Sequence, residues 1–237
     1  MNSISTLPIY IGYEEREHSA FEVCRYSILR HSRYWWGENP TIHKLRSKDI
    51  KSYHRDHGEP QSTDFTFTRF WVPWLCNFQG MSIFVDCDFL FLDSVFNLIA
   101  DIDKTKAVSV VKHPPYIPLK DVKMDGVQQH KSFRKNWASL MVFNNEHPKN
   151  KILQPEYLNN HIPGIDFHHL KWLDDDDIGD IPMEWNVLDQ YYYIKSAKAI
   201  HYTEGGPWFG NEFNNTRYGP LWNEYNMMRI NDEHEWQ

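Results

Sequence analysis

Short apolar runs, each closed by glycine or a polar residue, alternate along this chain with stretches whose apolar residues recur every three or four positions. Pro8-Ile-Tyr-Ile-Gly12 is the first run and predicts a strand ending in glycine. Ser19 and Glu22 then stand at capping-box spacing. Phe21, Cys24, Ile28 and Leu29 predict a helix to about His31. Residues 32–60 are polar and mixed, with a weak strand pattern near Ile42–Leu45 and a loop through His57-Gly-Glu-Pro60. Phe67, Phe70, Trp71, Trp74 and Leu75 next form an apolar stripe at helical spacing. Ser62 or Thr63 is placed to cap that helix. Arg69 lies almost opposite the stripe, toward solvent or a cleft, and Pro73 is placed to bend the last turn.

Ile83, Phe84 and Val85, after Gly80, predict a buried strand. Ala107-Val-Ser-Val-Val111 predicts another, and a long irregular stretch opens at His113-Pro-Pro115 and runs to about Lys135. Trp137 to Asn144 reads as a strand, Leu153 to His161 as a helix around Pro155, and Ala199-Ile-His-Tyr202 as a short strand. The alternation of strands and helices predicts an α/β protein with a Rossmann-like opening unit. No internal repeat or low-complexity linker interrupts it. A single domain over 1–237 is therefore expected, with 209–237 an aromatic- and Asn-rich tail wrapping the surface.

The chain has 237 residues, of which 41% are hydrophobic, enough for a full core. Aromatic residues make up 16%, and the ten Trp and thirteen Tyr exceed the needs of such a core, which predicts aromatic lining of a groove. The net charge of −7 argues against a nucleic-acid partner. Three cysteines, Cys24, Cys76 and Cys87, form no Cys-x-x-Cys pair, so neither a zinc knuckle nor a disulfide framework is expected. The start lacks a basic region followed by an apolar stretch, and no run approaches the roughly 18 to 20 apolar residues of a membrane span. These features predict a soluble, cytoplasmic protein of a reducing compartment.

The candidate chemistry begins at Asp86-Cys87-Asp88, where a buried strand releases two carboxylates and the chain continues apolar through Phe89-Leu-Phe-Leu92. Open α/β sheets bind ligands beyond the carboxyl ends of their strands. Carboxylates against a core require a positive partner, and a hard divalent cation is the simplest one. The plainer alternative is a strand end at which Asp caps backbone amides in a turn. A second candidate is His201-Tyr-Thr-Glu-Gly-Gly-Pro-Trp208. Two carboxylates and an imidazole suit Mn²⁺, and Gly205 and Gly206 permit close approach of backbone amides to an anion.

Together these motifs resemble the nucleotide-sugar glycosyltransferases of the GT-A fold, closest to glycosyltransferase family 8, which includes glycogenin and bacterial galactosyltransferases. The resemblance implies a central mixed sheet flanked by helices. It implies Mn²⁺ (or Mg²⁺) held by Asp86, Asp88 and His201 under the diphosphate of a UDP-sugar donor. It places Gly12 and Tyr13 near the nucleoside, and Arg69, Asp86, Cys87, Gly205 and Gly206 against the donor. Arg16, which follows the first strand and precedes a helix, is the candidate for the positive charge that the donor phosphates lack. Trp137 to Asn144 resembles the family's later strand. Asp175 or Asp176, from the run Asp174–Asp177 ahead of Trp185-Asn186, becomes the carboxylate at the sugar, with Arg69 as electrostatic catalyst. Retention of configuration and a carbohydrate or glycoconjugate acceptor are implied likewise.

The chain departs from the family at three points. Gly206 stands about where a diphosphate-binding Lys is common, Glu14 replaces an Asp in the nucleoside loop, and four aspartates compete for one catalytic assignment. Two alternatives stand beside this reading. A haloacid-dehalogenase-like phosphatase with Mg²⁺ also uses Asp-x-Asp, but Leu90 replaces its usual Thr or Val and about eighty residues precede Asp86. A non-catalytic carbohydrate-binding protein on the same fold is the other.

Overall fold

The computed structural model describes residues 7–32, 40–59, 61–114 and 134–235. Pro60 and most of the irregular stretch expected between His113 and Lys135, from 115 to 133, lie outside the described residues. The strands are β1 (Pro8–Gly12), β2 (Thr41–Leu45), β3 (Met81–Val85), β4 (Phe89–Phe91), β5 (Val108–Val110), β6 (Leu140–Asn144), β7 (Ile178–Asp180), β8 (Val187–Leu188) and β9 (Ala199–His201). The helices are α1 (His18–Ser32), α2 (Val72–Leu75), α3 (Val95–Ala100), α4 (Pro155–Asn160), α5 (Ile165–His168) and α6 (Gly219–Glu235).

Six strands form one sheet in the order β2-β1-β3-β6-β5-β7. β1 lies parallel to β2 and β3, and β5 parallel to β7, whereas β6 runs antiparallel to both of its neighbours. A smaller sheet has the order β4-β9-β8. The central strands read as continuous apolar runs because both faces are covered: Ile9, Ile11, Ile83, Phe84 and Val85 are all completely buried. Burial of each such side chain stabilises the fold by roughly 1.5–3 kcal/mol.

Helix α1 buries Ala20, Phe21, Val23, Cys24, Ser27 and Ile28. Ser27 fits this apolar face because its hydroxyl donates to Cys24 O (2.8 Å) and accepts from Phe91 N–H (3.0 Å). That pair ties α1 to the short strand β4. Ser19 is not the cap expected of it. A 3₁₀ turn, Glu15–Glu17, runs directly into His18, so Ser19 sits inside the first turn. The 62–75 stripe is not one helix either. Thr66 Oγ accepts from Thr63 N–H at 3.1 Å in a local turn, and a 3₁₀ segment, Thr68–Trp71, leads into α2. Pro73 falls in the first turn of α2, where its missing N–H costs nothing, so it starts this helix and does not bend its end.

The stretch from Phe209, rich in Asn, Trp and Tyr, contains regular structure. It forms a 3₁₀ turn, Asn211–Asn215, and the 17-residue α6. α6 packs on α1 through Trp222 and Tyr225, which join Val23, Leu90, Ile200 and Tyr202 in a second apolar cluster beneath the small sheet. Tyr225 OH pairs with His31 Nε2 at 2.7 Å, and Tyr26 OH donates to Asp232 at 2.6 Å, which holds the two helices in register. Among the described residues, no helix is long and apolar enough to cross a membrane.

Candidate active site at a two-carboxylate and histidine cluster

β3 delivers Asp86 at its carboxyl end, where the Asp86 amide donates to Ser139 O at 2.9 Å. The turn Asp86-Cys87-Asp88 then carries the chain out of the large sheet and into β4. β4 pairs antiparallel with β9, with Phe89 opposite His201, and Tyr202 N–H donates to Asp88 O at 2.9 Å. This register brings a histidine from far along the chain beside the carboxylates. The His201 ring stacks on Phe89 with centroids 4.4 Å apart and an interplanar angle of 19°. One ligand atom from each of Asp86, Asp88 and His201 lies within 4.8 Å of the others.

A chain of hydrogen bonds fixes which nitrogen of His201 faces the carboxylates. Ser139 Oγ donates to Asn136 O (2.7 Å) and accepts from Asn186 Nδ2 (3.0 Å). Asn186 Oδ1 therefore faces His201 Nδ1 at 3.0 Å and accepts its proton. In its neutral form His201 then turns the Nε2 lone pair to Asp88 Oδ2, 3.3 Å away. Two acceptors at that separation call for a proton or a cation between them. Two carboxylates and an imidazole oriented by an outer amide are a donor set that fits Mn²⁺, and Mg²⁺ less well because it favours oxygen.

Arg69 is 7% exposed, and its Nη1 lies 3.0 Å from Asp86 Oδ1 and donates to Ala138 O at 2.7 Å. It faces the cleft, not solvent. Glu17 stands on the same wall, with its carboxyl pushed up to about 7 by burial and by the negative charge of Asp88. Cys87 Sγ donates to Glu17 Oε2 at 3.1 Å. Burial and the surrounding carboxylates hold that thiol well above its usual range.

Glu17, Arg69, Asp86, Asp88 and His201 line a cleft of about 490 Å³. Of the residues singled out in the sequence, it brings together Arg16, Arg69, Asp86, Asp88, His201 and Gly205. Arg16 is held by Glu14 and donates to Ser62 O at 2.8 Å. Others stand off the cleft. The Tyr13 ring is buried under Lys44 Nζ, 4.1 Å from its centroid. The Cys87 side chain is wholly buried against Glu17. Gly12 lies beneath the Phe65 ring, which a Cβ would meet at 2.5 Å, so this glycine seats a cleft residue without lining the cleft itself. Gly206 is buried against the Trp208 ring, so close packing and not anion approach requires its missing side chain. Asp175 and Asp176 are exposed and do not line the cleft; Asp175 pairs with Arg134, which does, and Asp176 O accepts from Lys106 Nζ at 2.8 Å.

Glu17, Glu204, Arg134, His168 and His169 also line the cleft and were not singled out from the sequence. Glu204 is 7% exposed and accepts from Tyr191 OH at 2.6 Å. Its position directly after the His201 strand was the available clue. Glu17 and the two histidines carry no motif, and only the folded chain brings them to the aspartates.

No family model matches the chain. Its sequence is 40% identical over 229 residues to Protein CDI of Arabidopsis thaliana, covering 92% of this chain and 86% of that protein. The chain belongs to the Protein CDI family. The CDI name itself states no activity. Solved structures similar to this CDI-family chain include the bifunctional glycosyltransferase WbbM in its apo form, with TM-score 0.58, 14% identity and coverage of 96% of this chain. The apo glycosyltransferase GlyE of Streptococcus pneumoniae TIGR4 matches 97% of the chain with TM-score 0.57 at 14% identity. An active-site mutant of LgtC matches 92% of this chain and 95% of its own, with TM-score 0.58 at 11% identity. The chain spans 53% of WbbM and 63% of GlyE. The CDI-family chain thus has the GT-A type of glycosyltransferase fold.

Proposed function

We propose that this chain is a metal-dependent glycosyltransferase that moves a sugar from a nucleotide sugar, of the UDP type, to a carbohydrate or glycoconjugate acceptor, with retention at the anomeric carbon. The observation that carries this reading is the convergence of Asp86, Asp88 and His201 within 4.8 Å at a cleft in a GT-A fold. These three side chains would hold Mn²⁺ or Mg²⁺, which supplies Lewis acidity to a departing diphosphate.

The chain's own residues account for the rest of the site. Arg69 is fixed by Asp86 and Ala138 O before any substrate arrives, so its charge needs no reorganisation when negative charge builds on the leaving group. Arg16 adds a second cation at the cleft wall. Gly205, with φ of 100°, adopts a backbone conformation that a side chain disfavours and brings main chain to the cleft. We assign no role at the sugar to Asp175 or Asp176. Glu17 and Glu204 are the cleft-lining carboxylates outside the metal cluster.

The phosphatase alternative loses its ground, because the fold is of the GT-A type and that chemistry gives His201 no part. The non-catalytic alternative is separated by turnover. Incubation with a panel of UDP-sugars and Mn²⁺ should release UDP, and Asp88→Asn should abolish the release. Glycan binding that is indifferent to Mn²⁺, with no UDP released from any donor, would establish the binding-protein reading instead.

A further inference from the structure

The cleft wall contributed by α5 contains an imidazole without a task in the site described so far. His168 lines the cleft and is half-buried, with its ring edge-on to Phe70 (5.2 Å between centroids) and Phe67 (5.9 Å). No hydrogen bond or ion pair among the described residues engages either of its nitrogens. With no protein partner, its nitrogens are left to whatever occupies the cleft. A group placed this way beside Arg69 and Ile165, on the wall of a cleft, is suited to a ligand.

The surroundings set what that ligand can be. Burial and the charges of Arg69, His169 and Arg55 bring the imidazole down to about 3, so it is neutral at physiological pH. A neutral imidazole offers one N–H donor and one acceptor, the complement of a hydroxyl, which does both. It offers no positive charge to a carboxylate or phosphate. The wall is also braced from behind. The Arg55 guanidinium stacks 4.4 Å from the Phe67 centroid and 5.4 Å from that of Phe167, and it pairs with Glu59. The other Glu59 oxygen accepts the Gly164 amide, one residue before α5. A contact residue on a fixed support discriminates between ligands better than one on a free loop.

We propose that His168 hydrogen-bonds a ring hydroxyl of the sugar brought into the cleft, and so selects an uncharged, hydroxylated sugar. This rests on the glycosyl-transfer reading and names a specificity contact that the metal cluster does not supply. His168→Phe keeps the aromatic packing and removes both nitrogens. His168→Gln restores one donor and one acceptor.

The test is calorimetric titration, with Mn²⁺ present, of UDP, UDP-glucose, UDP-galactose, UDP-N-acetylglucosamine and UDP-glucuronate against the three proteins. UDP should bind all three alike. The uncharged UDP-sugar that wild type binds most tightly should lose about fivefold in His168→Phe, the worth of about one neutral hydrogen bond, and recover in His168→Gln. Unchanged binding of that UDP-sugar to His168→Phe would overturn the proposal. So would an equal loss for UDP itself, which would make His168 structural, or a wild-type preference for UDP-glucuronate. Failure of wild type to bind any of these nucleotides is a different result, and it would remove the underlying glycosyl-transfer reading.

Discussion

Replacing Asn186 with leucine should weaken Mn²⁺ binding while leaving every metal ligand in place. Asn186 is completely buried, and its side chain meets His201 Nδ1 and Ser139 Oγ, each at 3.0 Å, with His113 also beside it. Leucine fills nearly the same volume, so no large cavity opens, but it cannot accept the Nδ1 proton. His201 is then free to adopt the other tautomer, with its proton pointing at Asp88 and in the way of a cation. Loss of an outer partner of this kind lowers metal affinity about 10- to 100-fold, or roughly 1.4–2.7 kcal/mol. The unpartnered Nδ1 costs a further ~1–3 kcal/mol of stability, whereas the Ser139 hydroxyl keeps its bond to Asn136 O. Calorimetric titration with Mn²⁺, with circular dichroism as the control for folding, measures the first effect directly. Asn186→Asp keeps the acceptor for Nδ1 and should bind Mn²⁺ as well as wild type or better. If folded Asn186→Leu binds Mn²⁺ as tightly as wild type, the amide does not orient His201 and the tautomer reasoning fails.

Other perturbations follow from the same geometry. Arg69→Met leaves the Asp86 carboxylate, 15% exposed, without its guanidinium, and should cost about 3–5 kcal/mol in urea denaturation; a loss below about 1 kcal/mol would show that the pair is not coupled. His168 is held near 3, below its usual 6.5, so the unfolded chain takes up its proton first as the pH falls. Its contribution is complete above about pH 6.5 and is lost progressively below that. His168→Phe should therefore lose about 2 kcal/mol less stability than wild type between pH 7 and pH 5, and parallel pH profiles would contradict the burial argument. Gly206→Ala places a methyl within the Trp208 ring, which itself packs on Trp222 with centroids 5.4 Å apart. A loss of about 1–3 kcal/mol is expected in thermal denaturation, and an unchanged melting temperature would mean the ring moves aside freely.

The central strands of the large sheet were legible because they are short, apolar and sharply ended: Gly12 closes β1, Asp86 closes β3 and Asn144 ends β6. The edges were not, since β2 is half polar and left only a weak pattern, and β7 is three residues long with Gly179 and Asp180 in it. The metal-ligand candidates were legible for a related reason, since Asp86, Asp88 and His201 all stand at strand ends. What the pattern hid depends on longer-range contacts. The reversed direction of β6 leaves no trace in a run apolar on both faces. α6 buries Trp222 and Tyr225 among many polar residues, a stripe too diluted to read as a helix. The helix expected at 62–75 was broken by Thr66, whose hydroxyl offers the backbone a local turn instead. Asp175 and Asp176 drew attention as a run of charge, yet such a run is stable where water solvates it, and that is where it lies. Glu17, Asn186 and His168 take their chemistry from neighbours distant in sequence, which spacing alone cannot reveal.

The central claim is that Asp86, Asp88 and His201 hold a divalent cation that receives a nucleoside diphosphate. The most direct measurement is calorimetric titration of UDP into the wild-type protein and into Asp88→Asn, with and without Mn²⁺. Wild type should bind UDP at least tenfold more tightly with Mn²⁺ than without it, and Asp88→Asn should show no such gain. Equal UDP affinity with and without Mn²⁺ in wild type, or an undiminished Mn²⁺ effect in Asp88→Asn, would contradict the account.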